Sequence, residues 1–257
     1  VVKIKLVDAM SVIRARLEKD MGRFSIRSIM AEIDASPDLQ IYVWDGKGAR
    51  KARQAIYPGY KAQRKPAQES IQKGIEVIKA AVAMTKAPQI QVPGYEADDV
   101  IARLVRRYVP SGLPIEIQTR DRDLRALCDV SPRVTCTVEP KENIPDRQLQ
   151  LYKTWVGDPS DNVKGVPMFG DKAWERADKA VLRNVIDNFN RGWTDFEIET
   201  EMPNSCREWV WKSRDELLKM WVVVGFLPVA DQLIDQFTTM GQSNPPVRDH
   251  LLNGYFL

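Results

Sequence analysis

The chain has 257 residues and a mass of 29.3 kDa, which suits one large domain or two small ones. Hydrophobic residues make up 44% of it, which excludes wholesale disorder, and 38 basic against 35 acidic residues leave a net +3, too little to name a partner. Three scattered cysteines (Cys128, Cys136, Cys206) exclude a disulfide framework or a Cys-rich zinc site, and a single histidine, His250, excludes chemistry that needs a His base beside a His ligand.

In chain order, Val2–Val7 is aliphatic and β-branched and ends at Asp8; Leu39–Trp44 repeats the pattern and ends at Asp45. Ile90–Val92, Leu113–Thr119 and Val134–Val138 are further predicted strands. Between them, residues 25–35, 67–85, 95–108 and 121–128 are predicted helices. In 67–85 the residues Ile71, Ile75, Ile78 and Val82 fall on one face at helical spacing. This alternation predicts an α/β fold, a mostly parallel central sheet flanked by helices. In such sheets, sites form beyond the carboxyl ends of strands. After about residue 145 the predicted strands stop, and Pro145–Val156, Lys172–Phe189 and Glu208–Phe226 read as helices, with Ser243–Pro246 as a loop before a short tail. The expected division is therefore 1–144 and a helical 145–257. No apolar run reaches the ~18–20 residues of a membrane span. Val1–Met10 lacks a signal-peptide layout. The expectation is a soluble, cytoplasmic protein.

Acidic residues follow the predicted strands: Asp8; Asp45; Glu96, Asp98 and Asp99 in Gly94–Asp99; Asp121 and Asp123 in Thr119–Asp123. Asp158 and Asp161 follow in Gly157–Asn162. One Asp at a helix start is ordinary capping. Several brought to one spot would repel by roughly 4 kcal/mol per close pair at an effective dielectric of ~20. Cations would have to compensate, and oxygen-only ligands favour Mg²⁺ or Mn²⁺. Two such ions suit an in-line attack on a phosphodiester without histidine.

Residues 46–73 carry Lys47, Arg50, Lys51, Arg53, Lys61, Arg64, Lys65 and Lys73 against one acid, Glu69, with Tyr57 and Tyr60 interleaved. A charge run is ordinarily a solvated face, but this one begins beside Asp45, where a polyphosphate substrate needs cations and stacking rings. Val163–Lys172 links two predicted helices through Gly165 and Gly170, flanked by Lys164 and Lys172. Such a turn brings backbone amides close to a phosphate.

Together these segments resemble the 5′-nuclease (flap endonuclease) superfamily, most closely its stand-alone phage-type 5′→3′ exonucleases and the nuclease domain of bacterial DNA polymerase I. The resemblance rests on Leu6-Val7-Asp8, Trp44–Gly48, Tyr57–Arg64, Gly94–Asp99, Thr119–Leu124 and Gly157–Lys172, and covers about residues 6–178. It implies a PIN-like nuclease core over 1–144, with a basic arch or gateway at 46–73. It also implies a helical DNA-binding region over 145–257, with a helix–three-turn–helix element at about 150–180. The nine acids become metal ligands or their supporting carboxylates, holding two Mg²⁺ or Mn²⁺ ions. Lys61 and Arg64 are implied on the arch at the scissile phosphate, with Arg53 nearby and Tyr60 stacking on a terminal base. Lys164, Gly165, Gly170 and Lys172 are implied at duplex phosphates, with K⁺ on the carbonyls of Val166 and Phe169.

The implied activity is metal-dependent 5′→3′ exonuclease or flap endonuclease cleavage of DNA, with RNA in hybrids as a further substrate, in replication or repair. A monomer is expected, with no membrane partner. Met168 stands where relatives have a hairpin glycine. No clamp-binding tail is recognised in Gln236-Phe237 or Tyr255–Leu257. Two alternatives remain at this point: a catalytically silent DNA-structure-binding relative, and a PIN-type RNA-processing nuclease. The helical tryptophans Trp155, Trp174, Trp209, Trp211 and Trp221 read as packing residues.

Overall fold

The computed structural model describes residues 2–20, 23–140, 143–187 and 204–256. They fall into two compact units. The first is Val1–Ala49, Lys65–Lys141 and Pro228–Leu257; the second is Arg50–Arg64 and Glu142–Leu227.

The first unit is the sheet unit. Its strands are β1 (Ile4–Asp8), β2 (Leu39–Val43), β3 (Gln89–Ile90), β4 (Ile115–Gln118), β5 (Val134–Cys136) and β6 (Thr238–Thr239). They lie in the order β5-β4-β1-β2-β3-β6, all neighbours parallel except the antiparallel β3–β6 pair. Leu6, Val7, Val43 and Ile117 are buried, as parallel strands covered on both faces require. The helices of this unit are α1 (Ala9–Asp20), α2 (Arg23–Ala35), α4 (Glu69–Ala83), α5 (Ala97–Tyr108), α11 (Asp231–Gln236) and α12 (Pro245–Phe256). Ile75, Ile78 and Val82 of α4 bury the face read from their spacing, each worth roughly 1.5–3 kcal/mol.

Three features of this unit differ from the sequence reading. Residues 9–20 form α1, where no element was expected before residue 25. Its Ile13 and Leu17 are buried four residues apart, but Arg14, Arg16 and Glu18 dilute the periodicity. Residues 228–257, expected with the helical part, return to the sheet: β6 pairs with β3, and α12 packs on α4. The expected loop at Ser243–Pro246 contains the start of α12, because proline fits the first turn of a helix.

The second unit is helical. It contains α3 (Arg50–Ile56), α6 (Leu149–Trp155), α7 (Asp171–Arg176), α8 (Lys179–Asp187), α9 (Asn204–Lys212) and α10 (Arg214–Val224). Its core gathers Tyr57, Tyr60, Trp155, Phe169, Trp174, Leu182, Val210, Leu217 and Met220. Trp155, Trp174 and the half-buried Trp209 and Trp221 are packing residues, as read, whereas Trp211 is 43% exposed with the Arg214 guanidinium over its ring. The expected helix over 172–189 divides into α7 and α8; residues 188 and 189 lie outside the described residues.

Candidate functional site

In the sheet unit, β4, β1 and β2 are parallel neighbours, so their carboxyl ends share one edge. Asp8 is the last residue of β1, Asp45 lies two residues beyond β2, and Asp121 lies three beyond β4. Asp8 is 4% exposed. Its Oδ2 accepts the Thr119 hydroxyl at 2.7 Å, and its Oδ1 accepts the Ser11 amide at 3.2 Å. Burial pushes the Asp8 carboxyl up to about 6; the bonds from Thr119 and Ser11 oppose this, and the charges of Asp45 and Asp121 add to it. The charges of Asp45 and Asp121 therefore act on Asp8.

Several of these acids accept backbone amides. Asp121 caps the 3₁₀ helix Arg122–Val130, and its Oδ1 accepts the Asp123 amide at 3.0 Å. The Asp121 amide donates to the Thr119 hydroxyl, and the Arg120 amide to Ser11 Oγ, both at 2.9 Å. Asp45 Oδ1 accepts the Ala97 amide at 2.9 Å, at the start of α5. Glu96 and Asp99 form a capping box at that end, the Glu96 amide donating to Asp99 Oδ2 at 3.2 Å. Asp98 is half-buried in the same first turn. Gly46 has room only for hydrogen: a Cβ there would lie 1.8 Å from the Val92 carbonyl oxygen.

The edge thus presents carboxylates and hydroxyls, with neither histidine nor cysteine among these donors. That set fits hard divalent cations. The sequence reading missed Ser11 and Thr119, which orient Asp8; Thr119 directly before the Arg120–Asp123 run was the available signal.

In the helical unit, the loop 157–163 is docked on residues 57–64. Asn162 Nδ2 donates to the Gly59 carbonyl at 2.7 Å, and the Lys61 amide to the Asp161 carbonyl at 2.9 Å. The Asp161 carboxylate pairs with Arg64 at 2.7 Å and with Lys61 at 3.7 Å. Asp158 Oδ1 accepts both the amide and the hydroxyl of Ser160, and Oδ2 pairs with Lys153 at 2.6 Å. Burial would raise the Asp158 carboxyl, but Lys153 and Ser160 outweigh it and hold it below the usual carboxylate range.

Lys61 and Arg64 lie in a turn rather than on a helical arch. Lys61 has φ +50°, and its ammonium sits 4.8 Å from the Tyr60 ring centroid. Arg53 and Tyr60, expected at DNA, are each 2% exposed. Arg53 donates to the carbonyls of Val223 (3.0 Å) and Gly225 (2.8 Å) at the end of α10, and lies 5.6 Å from the Tyr60 centroid. Their expected DNA contacts are corrected accordingly: both are interior, where the guanidinium satisfies helix-terminal carbonyls and the ring fills the core.

The hairpin after α6 turns on Gly165, at φ +69°, where a Cβ would lie 2.5 Å from the Gly157 nitrogen. The Val166 amide donates to the Trp155 carbonyl, and the Val166 carbonyl accepts from Phe169 at 3.1 Å, which leaves that oxygen one further acceptor site. The Cys206 thiol donates to the Pro167 carbonyl at 3.0 Å. Met168 adopts φ +63° and is 76% exposed. Lys164, Gly170 and Lys172 are exposed on the same segment.

A family model described as "5′-3′ exonuclease, N-terminal resolvase-like domain" matches residues 23–153. DNA polymerase I of Caldicellulosiruptor bescii is 37% identical over 173 residues, covering 60% of this chain and 20% of that protein. A 5′-3′ exonuclease of Aquifex aeolicus is 29% identical over 182 residues, covering 67% of this chain and 61% of the relative. The chain thus spans about a fifth of the length of that polymerase. Among solved structures, T5 D15 protein co-crystallised with metal ions superposes with TM-score 0.65 at 18% identity, over 99% of this chain and 98% of that one. The catalytic core of Rad2 in complex with a DNA substrate gives 0.58 at 14%, over 98% and 86%. These last two likenesses concern the fold.

Proposed function

Because the chain belongs to the family of the 5′-3′ exonuclease N-terminal resolvase-like domain, we propose that it hydrolyses DNA phosphodiesters from or near 5′ ends. The products carry 5′-phosphates. The substrates are DNA with 5′ ends, flaps or nicks, and RNA in hybrids, in replication or repair. The observation that carries this reading is Asp8, buried at the end of β1 with its carboxylate held by Thr119 and Ser11 and within the field of Asp45 and Asp121.

Asp8, Asp45, Asp121 and Asp123, with Glu96, Asp98 and Asp99 at the start of α5, are assigned to divalent-ion binding; Asp158 and Asp161 are assigned to it from the helical unit. When bound, two Mg²⁺ or Mn²⁺ ions supply Lewis acidity, lowering the pKa of a water and neutralising charge on the phosphate. The protein's own groups do the rest. Thr119, Ser11 and the Ala97 amide orient the carboxylates. Lys61 and Arg64 bring positive charge to the phosphate, exchanging their Asp161 contact for it. Lys164 and Lys172, with the amides around Gly165 and Gly170, grip the duplex backbone, and the carbonyls of Val166 and Phe169 are assigned to K⁺.

Among the described residues no helix is long and apolar enough to cross a membrane. The protein is proposed to act as a monomer.

The test is digestion of a blunt DNA duplex, a 5′-flap and an RNA duplex, each labelled at either end, with Mg²⁺ and then with EDTA, with binding to each measured at the same salt. Shortening from the 5′ end that stops in EDTA supports the reading. Binding without cleavage favours the silent relative, and cleavage of RNA duplex alone favours the RNA-processing alternative; either result overturns it.

A further inference from the structure

Asp45 is held at a second point, remote from its carboxylate. Its main-chain carbonyl accepts a hydrogen bond from Gln91 Nε2 at 2.8 Å. The other end of that amide, Oε1, accepts from the ammonium of Lys79 on α4. A primary amide can turn over, exchanging its donor and acceptor ends. An ammonium has only donors, so Lys79 fixes Oε1 toward itself and aims the NH₂ at Asp45. Packing does not fix this orientation alone, because Lys79 and Gln91 face a cavity of about 500 Å³ also lined by Trp44, Gln89 and Phe237.

Lys79 is itself held in place. Its ammonium lies 5.7 Å from the ring centroid of Trp44, the residue before Asp45. The Trp44 indole donates to Gln89 Oε1 at 2.8 Å, and Gln89 Nε2 donates to the Lys79 carbonyl at 3.2 Å. The result is a closed loop of contacts through α4, the β3 segment and the exit of β2. Trp44 is 1% exposed and anchors the loop to the core.

We propose that Lys79 and Gln91 are positioning residues for Asp45, setting the register of the β2 exit and so the divalent-ion affinity of the carboxylate. The inference rests on the reading of Asp45 as an ion-holding residue. Neither Lys79 nor Gln91 touches ion or substrate; both act through the Asp45 main chain. Removing partners of this kind typically weakens metal affinity ~10–100-fold.

The test measures Mn²⁺ affinity by the loss of the free-ion electron paramagnetic resonance signal, on the whole chain, with melting midpoints recorded in EDTA. Gln91→Met keeps the length and apolar bulk but cannot donate. It should weaken Mn²⁺ binding ~10-fold with an unchanged midpoint in EDTA. Lys79→Met should fall between Gln91→Met and the unaltered protein, and Lys79→Arg, which restores a donor, should return to the unaltered affinity. If Gln91→Met does not fold, the Lys79 pair carries the same comparison. Asp45→Asn separates the two claims. Loss of Mn²⁺ in Asp45→Asn with full affinity in Gln91→Met overturns the positioning role alone. Absence of Mn²⁺ binding by the unaltered protein overturns the metal reading and this inference with it. A loss of affinity that merely follows a lowered midpoint also overturns the positioning role.

Discussion

The Thr119 hydroxyl meets Asp8 Oδ2 at 2.7 Å, across 111 residues of chain, and both groups are buried. The bond favours the ionised carboxylate against burial and against the charges of Asp45 and Asp121. Thr119→Val keeps the shape and removes the donor. The expected outcome is an Asp8 carboxyl pushed further up and divalent-ion affinity about 10-fold weaker at neutral pH. A titration of Mn²⁺ affinity against pH checks this; coincident curves for the two proteins would separate Thr119 from the site.

The pH dependence of stability follows from the same residue. The folded Asp8 carboxyl, at about 6, lies above its ordinary value of 3.8. Between those values the folded chain holds a proton that the unfolded chain has released. In EDTA, stability from this group is full below about pH 4 and is lost as pH rises through about 6, by on the order of 3 kcal/mol. Asp8→Asn has no such proton to lose. Urea unfolding of both proteins in EDTA between about pH 4 and pH 7 should show a difference that grows with pH; parallel profiles contradict it.

Arg53 is an interior donor rather than a DNA contact. Arg53→Met leaves the carbonyls of Val223 and Gly225 without their charged donor. A loss of about 3 kcal/mol in unfolding free energy is expected, with partial recovery in Arg53→Lys. A variant as stable as the parent but weaker on DNA would restore the surface role.

Lys61 is assigned to the phosphate together with Arg64. Lys61→Met should lower cleavage by ~10²–10³-fold, the usual cost of one transition-state donor. Its melting midpoint should move little, since Arg64 still pairs with Asp161. Single-turnover cleavage at saturating Mg²⁺ is the measurement, and an unchanged rate removes Lys61 from the reaction.

The acids were legible because Asp8 and Asp45 each follow an apolar strand, so local sequence marks both the strand and its end. Thr119 and Ser11 were not, since their value lies in bonds across 111 and 109 residues. Arg53 and Tyr60 look like surface residues in a basic stretch; only the end of α10 and the helical core show why they are interior. β6 has two residues and no period to read. The prolines of α12 resemble a loop until the helix that they begin is seen.

The central claim is that the carboxyl edge of β4, β1 and β2 is a divalent-ion site. Anomalous diffraction at the manganese edge, from a crystal grown with Mn²⁺, tests it most directly. The account predicts a peak bounded by the carboxylates of Asp8, Asp45 and Asp121, absent from an Asp8→Asn crystal. Clean density for those side chains with no anomalous peak among them would contradict it.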